Sequence, residues 1–106
     1  MLLIADSGST KTDWRLVDED GKQLGSVITE GLNPYFLSGE NIAATVRDKV
    51  LPVMDKVEKV FFYGAGCVLP VKAQLVKEVL DSTVGSRFPA EVRGDILGAA
   101  RSLLQD

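Results

Sequence analysis

The 106-residue sequence contains no histidine and only one cysteine, Cys67. Histidine is the side chain that most often acts as a general base or a metal ligand, so acid–base chemistry here would fall to carboxylates or lysines. A single cysteine cannot form an internal disulfide, which favours a reducing compartment. We therefore predict a cytoplasmic protein in which carboxylates are the first candidates for chemistry.

Long apolar runs and a basic stripe are also missing. The first apolar run, at residues 2–5, is far too short for a signal peptide or a membrane span. The 12 lysines and arginines are scattered among 15 acidic residues, and the net charge is -3. Neither nucleic acid nor a membrane is therefore an expected partner. A hydrophobic share of 45% and a charged share of 25% are typical of one soluble globular domain.

Hydrophobic periodicity predicts the element order β-β-β-α-β-α-β-α. Strands are predicted at residues 1–5, 12–18, 22–29, 58–63 and 89–93. The first helix is predicted to follow a Ser38 cap, and the second to run from Pro70 to Gly85 with Val71, Leu75, Val79 and Leu80 turned inward. A third helix is predicted after Asp95. The fold class is α/β: a mixed five-stranded sheet with helices on its faces, in which the later strands run parallel to the first.

The turn after the first strand, residues 6–12, reads DSGSTKT. Its small residues let backbone N–H groups approach an anion, while hydroxyls and Lys11 add donors. Asp6 is suited to hold a hydrated Mg²⁺. Ligands bind at the carboxyl ends of parallel strands, where residues 64–66 and 94–95 should also lie, so Asp6 and Asp95 are expected to face one cleft. The alternative is a merely structural hairpin, since tight turns use the same small polar residues.

This turn resembles the first phosphate motif of the sugar kinase/Hsp70/actin superfamily, whose half-fold is ribonuclease H-like. Two further segments, GLNP at residues 31–34 and GDILGAA at residues 94–100, follow in matching order. Together the three are similar to bacterial N-acetylglucosamine kinase-like proteins of the BadF/BadG/BcrA/BcrD ATPase family. The resemblance covers the length of the chain.

The resemblance implies a role for each matching residue. Asp6 would organise the Mg²⁺ of MgATP, and Asn33 would hydrogen-bond sugar hydroxyls. Asp95 would contact the sugar and act as the catalytic base that accepts the proton of its primary hydroxyl; a helix cap is the alternative for this residue. The phosphate turn would consist of Gly8, Ser9, Thr10 and Thr12, with Lys11 adding charge.

The resemblance further implies that residues 1–106 are the N-terminal lobe of a two-lobe actin-like ATPase or sugar kinase. The second lobe of such proteins, with another phosphate turn and the adenosine site, is not in this sequence. We expect the 106 residues alone to be almost inactive, and to self-associate through the face that a second lobe would cover. The expected activity of the intact protein is phosphorylation of an amino sugar such as N-acetylglucosamine. The alternatives are a non-catalytic nucleotide-binding or scaffold lobe, or an ATPase activator of an acyl-CoA reductase or dehydratase.

Overall fold

A computed structural model of the chain describes residues 1–8, 10–54, 56–64, 66–67 and 69–94. Its five strands are β1 (Leu2–Ser7), β2 (Lys11–Val17), β3 (Gln23–Glu30), β4 (Lys59–Gly64) and β5 (Glu91–Gly94). They form one sheet in the order β3-β2-β1-β4-β5, with β1, β2 and β3 antiparallel and β4 and β5 parallel to β1. The predicted mixed five-stranded α/β sheet is confirmed. The predicted third helix, together with Asp95, lies outside the described residues.

The helix after β3 changes its winding along its length. It begins as α1 (Gly39–Thr45), where the Ser38 hydroxyl accepts a hydrogen bond from the Asn41 N–H at 3.2 Å, as the predicted cap requires. A π turn at Val46–Val50 and a 3₁₀ turn at Leu51–Val53 follow. Pro52 lies in that last turn and has no N–H to continue the α-helical ladder, so the helix closes there, as the sequence predicted.

The second helix, α2 (Pro70–Val84), starts at a proline and ends at Gly85, whose φ of 63° is left-handed. Both ends agree with the sequence prediction. The predicted inward face is partly wrong, because Val71 is 70% exposed whereas Val76 and Leu80 are fully buried. Pro70 and Val71 form the first turn of α2, and both side chains are exposed.

The core lies between one face of the sheet and the two helices. Trp14 is fully buried at its centre; its indole Nε1–H donates to Thr29 Oγ1 at 3.0 Å, and its ring centroid lies 5.9 Å from that of Phe62. The same cluster contains Leu3, Ala5, Ile42, Val46, Val50, Val60, Val76 and Leu80. The opposite face of the sheet carries a smaller cluster of Ile4, Val17 and Tyr63. Within the described ranges, no helix is long and apolar enough to cross a membrane.

Asp81 of α2 holds the start of β5 in place. Its carboxylate accepts a hydrogen bond from the Ala90 N–H at 2.8 Å and one from Lys77 Nζ at 2.7 Å. Desolvation by burial would raise the pKa of Asp81, but the hydrogen bonds from Lys77 and Ala90 outweigh it and hold that pKa below its ordinary value. The carboxylate therefore anchors Ala90, the residue directly before β5, to α2.

We predict that Val76→Ala lowers the free energy of unfolding by about 1–3 kcal/mol, because Val76 is fully buried between α2 and the sheet. The matched control is Val71→Ala on the same helix, where the side chain is 70% exposed and the expected change is within about 0.5 kcal/mol. Urea unfolding followed by circular dichroism measures both. Equal losses for the two variants would contradict the description of this helix face.

Candidate functional site

The three parallel strands end in one row. Ser7, the last residue of β1, lies beside Gly64 of β4, which in turn lies beside Gly94 of β5. On the other side of β1, Thr12 of β2 lies opposite Ser7. The carboxyl ends of β1, β4 and β5 therefore lie at the same edge of the sheet, as the sequence predicted. Asp95 follows Gly94 directly in the chain but lies outside the described residues.

The turn between β1 and β2 is tight. The Gly8 N–H donates to the Lys11 carbonyl at 2.8 Å, which closes the connection between the two strands. Thr10 and Lys11 are exposed, and Ser9 lies outside the described residues. A Cβ at Gly8 would meet only the Lys11 carbonyl, at 3.7 Å. The space beside Gly8 is thus open to a ligand, and the exposed donors stand around it.

Asp6 and Ser7 point to opposite faces of the sheet, because side chains alternate along a strand. Asp6 is half-buried and lies between Asp13 of β2 and Tyr63 of β4. Burial raises the pKa of Tyr63. The negative charge of Glu91 raises that pKa further, and the positive charge of Arg93 only partly opposes the rise, so Tyr63 is a neutral hydroxyl at pH 7. Asp6 therefore has a carboxylate neighbour on one side and a phenol on the other.

Asp13 of β2 is a neighbour of Asp6 that is not among the predicted site residues. Its carboxylate accepts hydrogen bonds from Arg15 Nη2 at 3.1 Å and Nε at 3.4 Å. This ion pair offsets the repulsion expected between two carboxylates opposite each other on adjacent strands. Strand alternation and the two-residue spacing of Asp13 and Arg15 were the signals in the sequence. Among the described residues, no group of three or more histidine, cysteine, aspartate or glutamate side chains could hold a metal ion.

The side chain of Thr12 does not line the turn as the sequence predicted. It is fully buried, and its hydroxyl donates to the Glu30 carbonyl at 2.9 Å. Ser7, only 1% exposed, lies 2.8 Å from the same Thr12 oxygen and accepts a hydrogen bond from the Leu32 N–H at 3.0 Å. A hydroxyl has one proton to donate, and that of Thr12 is already used. Thr12 therefore belongs to the frame of the turn, and its side chain has no donor to offer a phosphate.

Asn33 lies at the same edge, in a compact turn. Its Oδ1 accepts a hydrogen bond from the Tyr35 N–H at 2.9 Å, and its carbonyl accepts from the N–H groups of Phe36 and Leu37, both at 3.0 Å. Oδ1 already accepts this hydrogen bond, and the Nδ2 amide is the donor that Asn33 could offer a ligand. Residue 66, which follows β4, packs directly against this side chain.

Gly66 has a φ of +83°, and a Cβ there would overlap Asn33 Oδ1. Glycine is therefore required at this position for two reasons: the left-handed backbone, and the close approach of the backbone to the Asn33 side chain. In the same turn, the centroid of the Tyr35 ring lies 5.0 Å from Lys72 Nζ of α2. The segments after β3 and β4 thus hold Asn33 in one position.

Cys67 is next to this turn but does not take part in its chemistry. Its side chain is only 2% exposed, and burial raises the pKa of the thiol to about 11. A thiol with that pKa is protonated at pH 7, whereas nucleophiles and metal ligands are thiolates. Cys67 therefore acts as a small buried hydrophobic residue of the core.

We predict that Gly66→Ala destabilises the chain more than Gly85→Ala, by at least about 1 kcal/mol. Both glycines have a left-handed backbone, but a Cβ at Gly85 would meet nothing within 4 Å. The difference therefore reports the overlap with Asn33, together with a close approach of 3.1 Å to Tyr35 Cδ2. Thermal unfolding gives the two stabilities, and the side-chain amide resonances of Asn33 should shift in Gly66→Ala only. Unmoved resonances in Gly66→Ala would show that Gly66 does not position Asn33.

Comparison with solved structures shows what this chain is similar to. No protein-family model matches the chain, and no curated protein matches it. Among solved structures, it is similar to the crystal structure of a protein from Porphyromonas gingivalis described as a putative N-acetylglucosamine kinase, with a TM-score of 0.84 and 45% sequence identity. The match covers 96% of this chain but 37% of the other, so the chain spans little more than a third of that protein's length. The predicted resemblance to N-acetylglucosamine kinase-like proteins is thereby confirmed along nearly the whole of this chain.

Proposed function

We propose that the intact protein is an ATP-dependent kinase that phosphorylates an amino sugar such as N-acetylglucosamine at its primary hydroxyl. Residues 1–106 would form its N-terminal lobe. The observation that carries this proposal is the 45% identity, over 96% of the chain, with a protein described as a putative N-acetylglucosamine kinase. The alignment of three parallel strand ends beside a donor-rich turn supports it, because ligands of α/β sheets bind at such edges.

The turn after β1 is suited to the phosphates of ATP. Gly8 leaves open space on its outer side, and the exposed residues Thr10 and Lys11 stand beside it. Ser9 is assigned to the same turn by its place in the sequence. Asp6, at the end of β1, is the carboxylate that would hold Mg²⁺, a cation that binds one or two carboxylates together with substrate phosphates. Bound Mg²⁺ would neutralise charge on the phosphates, and Asp6 would keep it beside the turn.

The sugar would lie on the other side of the strand ends, against Asn33. The turn of residues 33–35 occupies Asn33 Oδ1, so Nδ2 would donate to a sugar hydroxyl. Asp95 is proposed as the base on the strength of the sequence motif, since it follows the strand end at Gly94. The primary hydroxyl of the sugar would lose its proton to Asp95 as its oxygen bonds to the γ-phosphorus. The bond from that phosphorus to ADP would break in the same step.

We also propose that the intact protein has a second lobe, and the surface near the site supports this proposal. Tyr35, Phe36 and Leu69 are 51%, 81% and 50% exposed, and they belong to the segments that leave the site edge of the sheet. Exposed apolar groups of this kind mark surfaces that meet other protein. The alternative of an ATPase activator gains no support from Cys67, whose side chain is only 2% exposed. A non-catalytic nucleotide-binding lobe is the alternative that an activity assay would decide.

We predict that the intact protein converts N-acetylglucosamine and MgATP into a sugar phosphate and ADP, and that Asp6→Asn lowers kcat/KM by roughly 100-fold or more. The loss follows because the amide cannot replace the carboxylate beside a cation. The control is Asp20→Asn, an exposed carboxylate in the β2–β3 turn at the opposite edge. Mass spectrometry of the sugar phosphate measures both. Full activity in Asp6→Asn, or no phosphorylation of any amino sugar, would contradict the proposal.

Asn33→Asp is predicted to raise the KM for the sugar about tenfold while the KM for MgATP changes less than twofold. The aspartate keeps an oxygen that can accept the Tyr35 N–H and so preserves the turn, but it removes the Nδ2 donor. Asn41→Asp, an exposed change in α1, is the control and should leave both constants unaltered. An unchanged sugar KM in Asn33→Asp would remove Asn33 from the sugar site.

A further inference from the structure

Two buried hydroxyls connect the turn after β1 to the loop after β3. The Leu32 N–H donates to Ser7 Oγ at 3.0 Å, and Ser7 and Thr12 hydroxyl oxygens lie 2.8 Å apart. Thr12 donates its only proton to the Glu30 carbonyl at 2.9 Å, so the proton between the two hydroxyls must come from Ser7. The direction is therefore Leu32 N–H to Ser7, Ser7 to Thr12, and Thr12 to Glu30. We call these three hydrogen bonds the hydroxyl relay.

The hydroxyl relay spans the two halves of the candidate site. Ser7 and Thr12 flank the tight turn that is proposed to bind phosphate. Glu30 is the last residue of β3, and Leu32 is buried directly before Asn33. The relay thus holds the chain on both sides of Gly31, by a carbonyl before it and an N–H after it. The backbone that leads into Asn33 is fixed by hydroxyls that belong to the other half of the site.

Neither hydroxyl can act on a ligand directly. Ser7 is 1% exposed and Thr12 is fully buried, whereas Thr10 and Lys11 of the same turn are exposed. Within the described part of the chain, no buried side-chain nitrogen or oxygen lacks a hydrogen-bond partner. Each described hydroxyl of the relay thus has its hydrogen-bond partners, and a break in it would leave a buried polar group unsatisfied, which is unfavourable.

We infer that Ser7 and Thr12 are positioning residues for the sugar half of the site, acting through Leu32 on Asn33, although they lie in the phosphate turn. This inference rests on the proposed function, because it assigns Asn33 to the sugar. The inference divides the residues of the turn into two groups, exposed and buried, with different roles. The exposed ones are assigned to the nucleotide, and the two buried hydroxyls set the affinity for the second substrate.

Thr12→Val in the intact protein tests the inference, because valine keeps the shape of threonine and removes its hydroxyl. The KM for the sugar should rise about 5- to 10-fold, and the KM for MgATP should stay within twofold of the unaltered protein. Thr12→Ser restores the hydroxyl and should restore the sugar KM. Thr10→Val, the exposed matched change in the same turn, should show the opposite pattern, with the larger effect on MgATP. A Thr12→Val protein in which MgATP alone is affected, or in which both KM values rise equally, overturns the inference.

A second measurement separates failure of the inference from failure of the proposed function. If the intact protein phosphorylates no amino sugar, the proposed function is wrong, and the relay is then tested by amide hydrogen exchange. Ser7→Ala removes the acceptor of the Leu32 N–H and should speed exchange of that amide at least tenfold. The Ile42 amide, which donates to the Ser38 carbonyl at 3.1 Å in α1, should be unaffected. Unchanged exchange at Leu32 would show that the relay does not hold this loop.

Discussion

β1 pairs in parallel with β4 and antiparallel with β2, and the geometry of the candidate site depends on these two ladders. The parallel ladder places Ser7 beside Gly64, and the antiparallel one turns the chain back at Gly8. A slip of one residue in either ladder would send every side chain of that strand to the other face. Core packing disfavours such a slip in β1, because the slip would expose Leu3 and Ala5 and would bury Asp6 among the helices. The apolar packing therefore maintains the register on which the polar site depends.

Strand alternation gives the end of β1 two separate tasks. Asp6 faces the side of the sheet that carries Asp13, Tyr63 and the smaller apolar cluster, where a carboxylate can remain partly solvated. Ser7 faces the helix side and is buried, where a hydroxyl is tolerated only because its hydrogen bonds are satisfied. One strand end thus supplies a charge for a ligand and a polar anchor for the neighbouring loop. The turn after β1 can therefore have exposed residues that are open to a ligand, while buried hydrogen bonds hold the strand ends from which it starts.

The elements were predictable because their signals are local. The strands predicted at 12–18 and 22–29 differ by one residue at each end from β2 and β3, and the cap at Ser38 and the stop at Gly85 are as expected. The prediction that Val71 faces inward was wrong. Periodicity shows which residues share a helix face, but it does not show which of them other elements cover. Thr12 was placed with the phosphate residues for a similar reason. A threonine in a polar turn has the same appearance in the sequence whether its hydroxyl points outward or into the core.

The sequence by itself determined the order of the elements, the small polar turn after a buried strand, and the segments at residues 31–34 and 94–100 that carry the resemblance. These follow from periodicity, capping and turn chemistry, all of which act over a few residues. Only the tertiary structure decided that Ser7, Thr12, Glu30 and Leu32 form one hydrogen-bonded unit, and that Gly66 presses on Asn33. Ser7 and Leu32 are 25 residues apart in the sequence, much farther than the residues of a local motif. Nothing in the type of either residue indicates that the other is its hydrogen-bond partner. Their contact exists because the sheet brings the ends of β1 and β3 to the same edge.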